Sequence, residues 1–405
     1  MSSTTGTRPL DGVRILSLEQ MQALPFATQL LTRLGAEVVK IESPGTGDLG
    51  RGSLPAMADP EGRRVGATFL RNNLNKRSVA LDLKQAEARD LVLRMAPRFD
   101  VMCENLKAGS ADRLGLGYEA FRAVHPQIVY ASVSGFGAGG SPYDGRPAFA
   151  PVIEAMSGIY EYTRRPGQPI KVAPMGGLGD IASGMFVVIG ILAALRQRDL
   201  TGEGQRVDVA MLDSVVAMTD IVMNLSSLGN EDGNVGPLIM DAFAASDGSF
   251  VLQVGREDQF AKLAELIGAP EWLEDPRLAT RQGWVDHLED VIRPAIESWA
   301  ATSTRAQVCE RMAAAGIAAG PALRSAEVVA DPHLHQRHMV VEMERTDGVD
   351  RPVRVPGNPV KISGVPEVPD TRVPWLGEHT DEVLTAELDL DPEELARLRA
   401  SGAIA

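Results

Sequence analysis

The sequence predicts an α/β protein with a larger domain built on an open, Rossmann-like parallel sheet and a smaller α+β domain. Three observations lead to this prediction. Short apolar runs alternate with helical segments from residue 13 to residue 210, which is the order that builds parallel sheets covered by helices. A glycine-rich acidic stretch, Gly229–Gly236, interrupts the pattern, and strand and proline signals return from Met339. The 405 residues suffice for two to three domain-sized units.

The first elements form a βαβ unit. Val13–Leu18 is a short apolar strand, and Pro25–Leu34 is a helix with proline in its first turn and Gly35 at its end. Ala36–Glu42 supplies the next strand. A right-handed crossover makes these two strands parallel neighbours.

The same alternation continues through the larger domain. The predicted strands are Val79–Leu83, Val101–Glu104, Ile128–Ser132 and Arg206–Ala210. The predicted helices are near Gln85–Met95, Ala111–Val124 and Asp180–Arg198, and from Leu212 onward. We expect the sheet to end at Ala210.

The rest of the chain is predicted to be richer in helices. A strand at Phe250–Val254 starts the second unit, and the predicted helices that follow are near Asp258–Ile267, His287–Ala300, Thr304–Ala315, His379–Leu388 and Pro392–Ala400. We therefore divide the chain into a large domain (residues 1–229), a smaller domain (residues 230–335) and a C-terminal segment (residues 336–405).

Charge and composition exclude several classes of protein. The chain has 40 Lys and Arg against 54 Asp and Glu, a net charge of −14, whereas a nucleic-acid-binding protein needs the opposite charge. Cys103 and Cys309 form no C-x-x-C pair, which indicates the cytoplasm. The N-terminal region shows no secretory signal. The most apolar segment, Met185–Leu195, is about half the ~20 residues of a membrane-spanning helix, so we predict a buried core helix and no membrane partner.

The turn after the first strand, Glu19–Pro25, contains none of the glycines that a dinucleotide-binding loop places there. Nicotinamide chemistry therefore loses its main support. Gln22 lies in this turn, where its amide could donate and accept hydrogen bonds in the crevice at the strand ends. The alternative is a solvated loop glutamine.

The run Gly176, Gly177, Leu178, Gly179, Asp180 places three glycines before a carboxylate that opens an apolar helix. One interpretation is that Asp180 only caps its helix. The other is that small residues clear space beside a poorly hydrated, reactive carboxylate, so that a bulky electrophile can approach. The composition of this run does not distinguish between the two interpretations of Asp180.

Other kinds of catalytic site have weaker support. His333, His335 and His338 match no compact zinc pattern and have no cysteine nearby, so we predict no metal site. The G-x-S-x-G motif of serine hydrolases does not occur.

Ordered sequence blocks then identify a family. They are PLDGVRILSLEQMQALPFATQLLTRLGAEVVKIESPGTGD, NKRSVALDLK, VMCENLKAGSADRLGLGYE, ASVSGFG, AMSGIY, GLGDIASGM, LTGEGQRVDVAMLD, DPHL and LGEHTDEVL. From about residue 9 to the end, the chain resembles the family III CoA-transferases, typified by formyl-CoA transferase and the carnitine CoA-transferases.

The resemblance implies a reaction and a set of site residues. Family members move coenzyme A from an acyl-CoA to a free carboxylic acid through a mixed anhydride and an aspartyl thioester, and Asp180 matches their active-site aspartate. Gln22 matches a residue near the reacting carboxylate. The residues that match coenzyme A contacts are Met21, Gln22, Ala23, Leu81, Lys84, Asn105, Arg113 and Met211. Lys84 and Arg113 suit the phosphates of coenzyme A.

The chain also departs from its relatives. Ser43 stands where they often have an arginine, and Phe149 and Ala150 replace a Tyr-Asp pair. No four-glycine run corresponds to the loop that covers the site of formyl-CoA transferase. The related α-methylacyl-CoA racemases, which have a histidine at the position of Phe149, are one alternative function. A coenzyme A-binding protein without turnover is another.

Relatives form interlocked dimers, so the resemblance implies a homodimer in which the C-terminal segment rejoins the large domain around the smaller one. The expected small-molecule partners are an acyl-CoA and a small mono- or dicarboxylic acid.

Overall fold

A computed structural model of the chain describes residues 7–162, 169–172, 177–229 and 236–405. The chain divides into two compact units. The larger comprises residues 1–229 and 335–405, and the smaller comprises residues 230–334.

The first part of the larger unit alternates strands and helices. In chain order, the elements are β1 (Arg14–Leu18), α1 (Ala23–Arg33), β2 (Glu37–Glu42), β3 (Ala56–Ala58), β4 (Arg64–Gly66), α2 (Ala67–Asn72), β5 (Lys76–Ala80), α3 (Ala86–Met95), β6 (Val101–Glu104), α4 (Ser110–Arg113), α5 (Tyr118–Val124), β7 (Val129–Ser134), α6 (Ala150–Met156), α7 (Ile159–Tyr162), α8 (Leu178–Thr201), β8 (Arg206–Ala210), α9 (Met211–Met218) and α10 (Asp220–Ser227).

The smaller unit packs helices on a three-stranded antiparallel sheet of order β11-β10-β9. Its elements are β9 (Ile239–Ala245), β10 (Gly248–Val254), α11 (Glu257–Ile267), α12 (Arg281–Asp286), α13 (Arg293–Ala300), α14 (Arg305–Ala314), β11 (Ala318–Pro321) and α15 (Ser325–Val329). The helix α16 (Pro332–Gln336) crosses the boundary to the larger unit. Phe260 stacks between Trp272 and Trp284 in the core of the smaller unit.

The C-terminal part of the chain packs against the parallel sheet. It contains β12 (Val340–Met343) and β13 (Val353–Pro356), which pair antiparallel, and the helices α17 (Thr380–Leu388) and α18 (Pro392–Ser401). The backbone N–H of His379 donates to the carbonyl oxygen of Ser78 in β5. Val383 and Leu398 are buried in the same cluster as Leu16 of β1.

Six strands of the larger unit form one parallel sheet of order β5-β2-β1-β6-β7-β8. This confirms the predicted fold class and the predicted end of the sheet at Ala210. The strands β2 and β5 lie on one side of β1. The later strands β6, β7 and β8 lie on its opposite side, so the direction in which strands are added reverses at β1. In open α/β sheets, ligands bind beyond the carboxyl ends of the strands at such a reversal of strand order.

The long helix α8 packs closely against α1 and β8 because glycine faces both. An added Cβ atom would lie 2.8 Å from the carbonyl oxygen of Ala23 at Gly184, and 2.5 Å from a methyl carbon of Val207 at Gly190. Only one face of α8 is buried, whereas the sequence predicted a buried core helix. Its exposed apolar side chains include Met185, Ile189 and Leu192. The 24 residues of α8 are long and apolar enough to cross a membrane, and 44% of its most apolar window is buried.

Several predicted element bounds were wrong. The helix predicted at Ala111–Val124 is two helices, α4 and α5, because the chain turns through left-handed backbone at Gly115, where φ is +71°. The strand predicted at Val79–Leu83 is Lys76–Ala80. The strand β9 was missed, although Asp247-Gly248 between two apolar runs is a typical hairpin signal.

Candidate active site

A cavity of about 490 Å³ opens beyond the carboxyl ends of β1, β6 and β7, at the N-terminus of α8. It therefore lies at the reversal of strand order described above. Its lining includes Gln20, Met21, Gln22, Ala23, Thr68, Asn105, Lys107, Phe136, Asp144, Arg146, Phe149, Asp180 and Met211. The fold thus brings together six of the predicted site residues: Met21, Gln22, Ala23, Asn105, Asp180 and Met211.

The turn after β1 is held in place by side chains from other loops. Asn105 makes two hydrogen bonds to the backbone of Gln20. Its Oδ1 accepts from the Gln20 N–H at 2.8 Å, and its Nδ2 donates to the Gln20 carbonyl oxygen at 2.9 Å. Oδ1 of Asp48 accepts from the N–H of Met21 at 2.8 Å. Met21 has a φ of +63°, a left-handed conformation that a non-glycine residue rarely adopts. These contacts shape the turn without the glycines of a nucleotide-binding loop.

A buried ionic network supports this turn from beneath. The Nζ of Lys76 donates to Glu19 at 2.6 Å, and Lys40 is paired with Asp48. The side chains of Glu19, Lys40 and Lys76 are fully buried. Burial lowers the pKa of Lys76 to about 8. Charges in such a place need partners, and this network gives Asp48 a fixed position.

Asp180 is the third residue of α8 and points into the cavity rather than capping its own helix. Its side chain makes no hydrogen bond or ion pair with any residue that the structure describes. The capping interpretation of the sequence is therefore wrong. Burial, and secondly the nearby Glu154 carboxylate, raises the pKa of Asp180 to about 6.

Gly177 leaves space next to both Asp180 and Gln22. A Cβ atom on Gly177 would lie 2.7 Å from Oδ2 of Asp180 and 2.8 Å from Nε2 of Gln22. The φ of Gly177 is +80°, which also favours glycine. Gly176, the first glycine of the predicted run, lies outside the described residues.

Glu154 is a buried acid beside this helix end that the sequence did not single out. It is 2% exposed and accepts a hydrogen bond from the Gly179 N–H at 3.1 Å and another from the Tyr160 hydroxyl. Burial, followed by the hydrogen bond to Glu154, raises the pKa of Tyr160 to about 12.

Two cations in the cavity were also missed by the sequence analysis. Lys107 follows β6, and Arg146 lies on the loop between β7 and α6. Neither forms an ion pair within the described part of the chain, and the Arg146 guanidinium lies 4.9 Å from the ring centre of Tyr143. Exposed Lys and Arg side chains are common on loops, so the sequence does not mark these two residues. They differ from other loop cations only because both line this cavity.

A second cavity, of about 210 Å³, adjoins the first and shares Gln20 and Leu106 with it. Leu81, Lys84 and Ser43 line this second cavity. The two cavities are therefore neighbours along the strand ends. Arg113 lines neither cavity; its guanidinium donates to Ser110 Oγ at 2.6 Å.

No group of three or more His, Cys, Asp or Glu side chains that could hold a metal ion occurs among the described residues. Of the three clustered histidines, His338 contacts Glu367 at 2.9 Å.

Comparisons with known proteins agree with the resemblance found in the sequence. The sequence model of CoA-transferase family III matches residues 10–380. The chain is 36% identical to a formyl-CoA:oxalate CoA-transferase of Streptomyces coelicolor, over 98% of this chain and 99% of that one. It is 34% identical to a succinyl-CoA:mesaconate CoA-transferase of Haloarcula hispanica, over 93% and 95% of the two chains. A solved CAIB/BAIF family protein from Brucella suis superimposes with a TM-score of 0.83 at 33% identity, over 94% of this chain and all of that one.

Proposed function

This chain belongs to CoA-transferase family III, and on that premise we propose that it moves coenzyme A from an acyl-CoA to a free carboxylic acid through covalent intermediates on Asp180. The observation that carries the proposal is a partly buried carboxylate that lines a cavity and has no hydrogen-bond partner among the described residues. Such a poorly solvated carboxylate is available as a nucleophile.

The reaction consists of two exchanges. A carboxylate oxygen of Asp180 attacks the thioester carbonyl carbon, the carbon–sulfur bond breaks, and a mixed anhydride and the CoA thiolate form. The thiolate then attacks Cγ of Asp180 and releases the donor acid as a carboxylate, which leaves an aspartyl-CoA thioester. The acceptor acid repeats both steps in reverse, so that a new acyl-CoA leaves and the Asp180 carboxylate is restored. No proton or water is consumed.

Gln22 is placed to stabilise the negative charge that develops on the carbonyl oxygen in each addition. Its amide nitrogen and the Asp180 carboxylate flank the same glycine, Gly177. A neutral donor fixed beside the nucleophile needs no reorganisation during the reaction. We therefore assign Gln22 as the second catalytic residue.

Coenzyme A would lie along the two neighbouring cavities. Met21, Ala23 and Met211 line its reactive end, and Leu81 and Lys84 line the other end. Lys84, which lines the second cavity, supplies positive charge for phosphates in an acidic protein. The resemblance assigns the same role to Arg113, which lines neither cavity. Because both side-chain groups of Asn105 already bind the Gln20 backbone, we assign Asn105 mainly to holding the turn that coenzyme A contacts.

The acids exchanged would be small mono- or dicarboxylates. Similar proteins are named for succinyl-CoA with mesaconate and for formyl-CoA with oxalate. Lys107 and Arg146, which line the cavity and form no ion pair with any described residue, can attract such acids. A screen of acyl-CoA donors against free acids, analysed by mass spectrometry, would identify the pair.

We also propose an interlocked homodimer. Apolar side chains are exposed along α6, α8, α9 and α10 of the larger unit, namely Val152, Met156, Met185, Ile189, Leu192, Met218 and Met223. An exposed apolar surface of this kind commonly marks an interface. Sedimentation equilibrium tests the proposal, and a monomer at micromolar concentration would contradict it.

The racemase alternative has less support. Two-sided proton exchange needs a second base opposite Asp180, and no histidine occurs among the described residues that line the cavity. Phe149 lies there instead. Rapid α-deuteration of a 2-methylacyl-CoA in heavy water, without an acceptor acid, would favour the racemase.

Trapping the intermediate tests the transferase mechanism directly. The protein is incubated with acyl-CoA and hydroxylamine, and peptides are searched for a hydroxamate on Asp180. Asp180→Ala should abolish both the adduct and transfer while coenzyme A still binds. Asp199→Asn, an exposed aspartate farther along α8, is the matched control and should retain both. Absence of an Asp180 adduct during turnover would eliminate the covalent mechanism.

A further inference from the structure

Glu154 is a buried carboxyl group that the proposed reaction does not use. It lies on α6, is 2% exposed and forms no ion pair with any residue in the described part of the chain. A buried carboxylate without a cationic partner is costly, so its presence beside the nucleophile requires an explanation.

The contacts of Glu154 connect it to the helix turn that carries Asp180. Its Oε1 accepts from the backbone N–H of Gly179, the residue before Asp180, at 3.1 Å. Its Oε2 accepts from the hydroxyl of Tyr160 on α7. Both donors are neutral, so Glu154 holds the first turn of α8 in place while its charge is not cancelled by a cation.

The other charged side chains among the described residues that line the cavity with Asp180 are Lys107, Asp144 and Arg146. Tyr160 reaches Glu154 through its hydroxyl group. Within the described part of the chain, α1 and α9 contribute no charged side chain to the cavity lining. The pKa of Asp180 is raised first by burial and second by the negative charge of Glu154.

Repulsion between the two acids changes during the reaction. In the free enzyme, the negative charge of Glu154 opposes that of the Asp180 carboxylate, and like charges repel strongly in a region with little water. When Asp180 becomes a thioester it is neutral, and the negative charge leaves with the released donor acid. The repulsion therefore disappears in the covalent form.

We propose that Glu154 is a positioning residue that fixes the first turn of α8 and, by its negative charge, shifts the equilibrium from the Asp180 carboxylate toward the aspartyl-CoA thioester. This inference rests on the proposed function. The exchange balances as one carboxylate for another: Asp180 gives up its charge, and the donor acid carries the charge away.

Glu154→Gln removes the charge but retains the shape and an oxygen that can accept from Gly179. The half-reaction with acyl-CoA alone is brought to equilibrium, and the fraction of enzyme carried as thioester is measured by intact-protein mass. We expect the equilibrium constant for thioester formation to fall about tenfold, since one pKa unit corresponds to a factor of ten. The acid limb of the rate profile should move to lower pH.

Glu154→Met tests the same charge effect without the hydrogen bonds and serves if the glutamine variant folds poorly. It should move the acid limb in the same direction and reduce kcat further, because the helix turn is also released. If both neutral variants retain the wild-type thioester fraction and acid limb, Glu154 is merely structural and the inference fails. If the wild-type enzyme forms no thioester at all, the proposed function fails instead.

Discussion

Oδ2 of Asp180 and Nε2 of Gln22 both border one empty position, 2.7 and 2.8 Å from where a Cβ atom of Gly177 would be. The proposed nucleophile and the proposed oxyanion donor are thus both next to the space left by the missing side chain of a glycine. Gly177 has a φ of +80°, so both backbone geometry and space require glycine there.

Gly177→Ala should therefore reduce kcat by about 10- to 100-fold, because a displaced nucleophile loses its alignment. Gly202→Ala is the matched control: Gly202 ends the same helix at a φ of +76°, but a Cβ there would contact nothing within 4 Å. Both variants carry similar backbone strain, of about 1 kcal/mol. Steady-state kinetics should show the loss of kcat only for Gly177→Ala. An equal loss of kcat in both variants would mean that backbone strain alone causes the effect.

Gln22→Met should lower kcat by about 10²–10³-fold, since it retains side-chain length but removes the donor for the oxyanion. The KM for acyl-CoA should change much less. If KM rises and kcat is preserved, Gln22 is a coenzyme A contact and not a catalytic residue.

The rate should depend on pH through Asp180, which must be ionised to attack. Because its pKa in the free enzyme is raised to about 6, kcat/KM for acyl-CoA should be constant above about pH 7 and fall about tenfold for each pH unit well below 6. Initial rates at subsaturating acyl-CoA between pH 4.5 and 8 measure this limb. An acid limb near pH 4, the usual range of an aspartate, would contradict a raised pKa of Asp180.

Asp180→Asn should stabilise the fold at neutral pH. The pKa of Asp180 is higher in the folded protein than its ordinary value of 3.8, so ionising it costs folding energy as pH rises from about 4 to 6. The gain should be about 1–3 kcal/mol at pH 7 and should shrink toward pH 4. Urea unfolding of both proteins at equal concentration, with Asp199→Asn as control, measures the difference. A gain that does not vary with pH would rule out this origin.

Asn105→Ala should both destabilise the protein and impair catalysis. It leaves the N–H and carbonyl of Gln20 without their side-chain partner, which costs about 1–3 kcal/mol, and it loosens the turn that carries Met21 and Gln22. Asn105→Asp retains the acceptor for the N–H and should lose less. Urea unfolding and kinetics on the same samples separate the effects: a rise in KM without loss of stability would indicate a direct coenzyme A ligand.

Much of the fold follows from local patterns in the sequence. Apolar runs with helices between them predict the parallel sheet, and Pro25 and Gly35 mark the ends of α1 to within about two residues. The Ala111–Val124 prediction failed because the periodicity continues across Gly115, whereas the backbone there turns.

The sequence by itself determined the family and the sheet and indicated Asp180 as the proposed nucleophile, because ordered motifs and the glycine run around Asp180 are local. Only the tertiary structure decided that Asp180 is not a helix cap and that Glu154 binds the backbone N–H of the preceding residue, Gly179, across 25 residues. It also brought Asn105 to Gln20 across 85 residues and Asp48 to Met21 across 27. The physical reason is that the contacts of Asn105 and Asp48 form between loops at the ends of neighbouring strands, where strand order, not sequence distance, decides which loops meet, and that the Glu154 contact depends on how α6 packs beside α8.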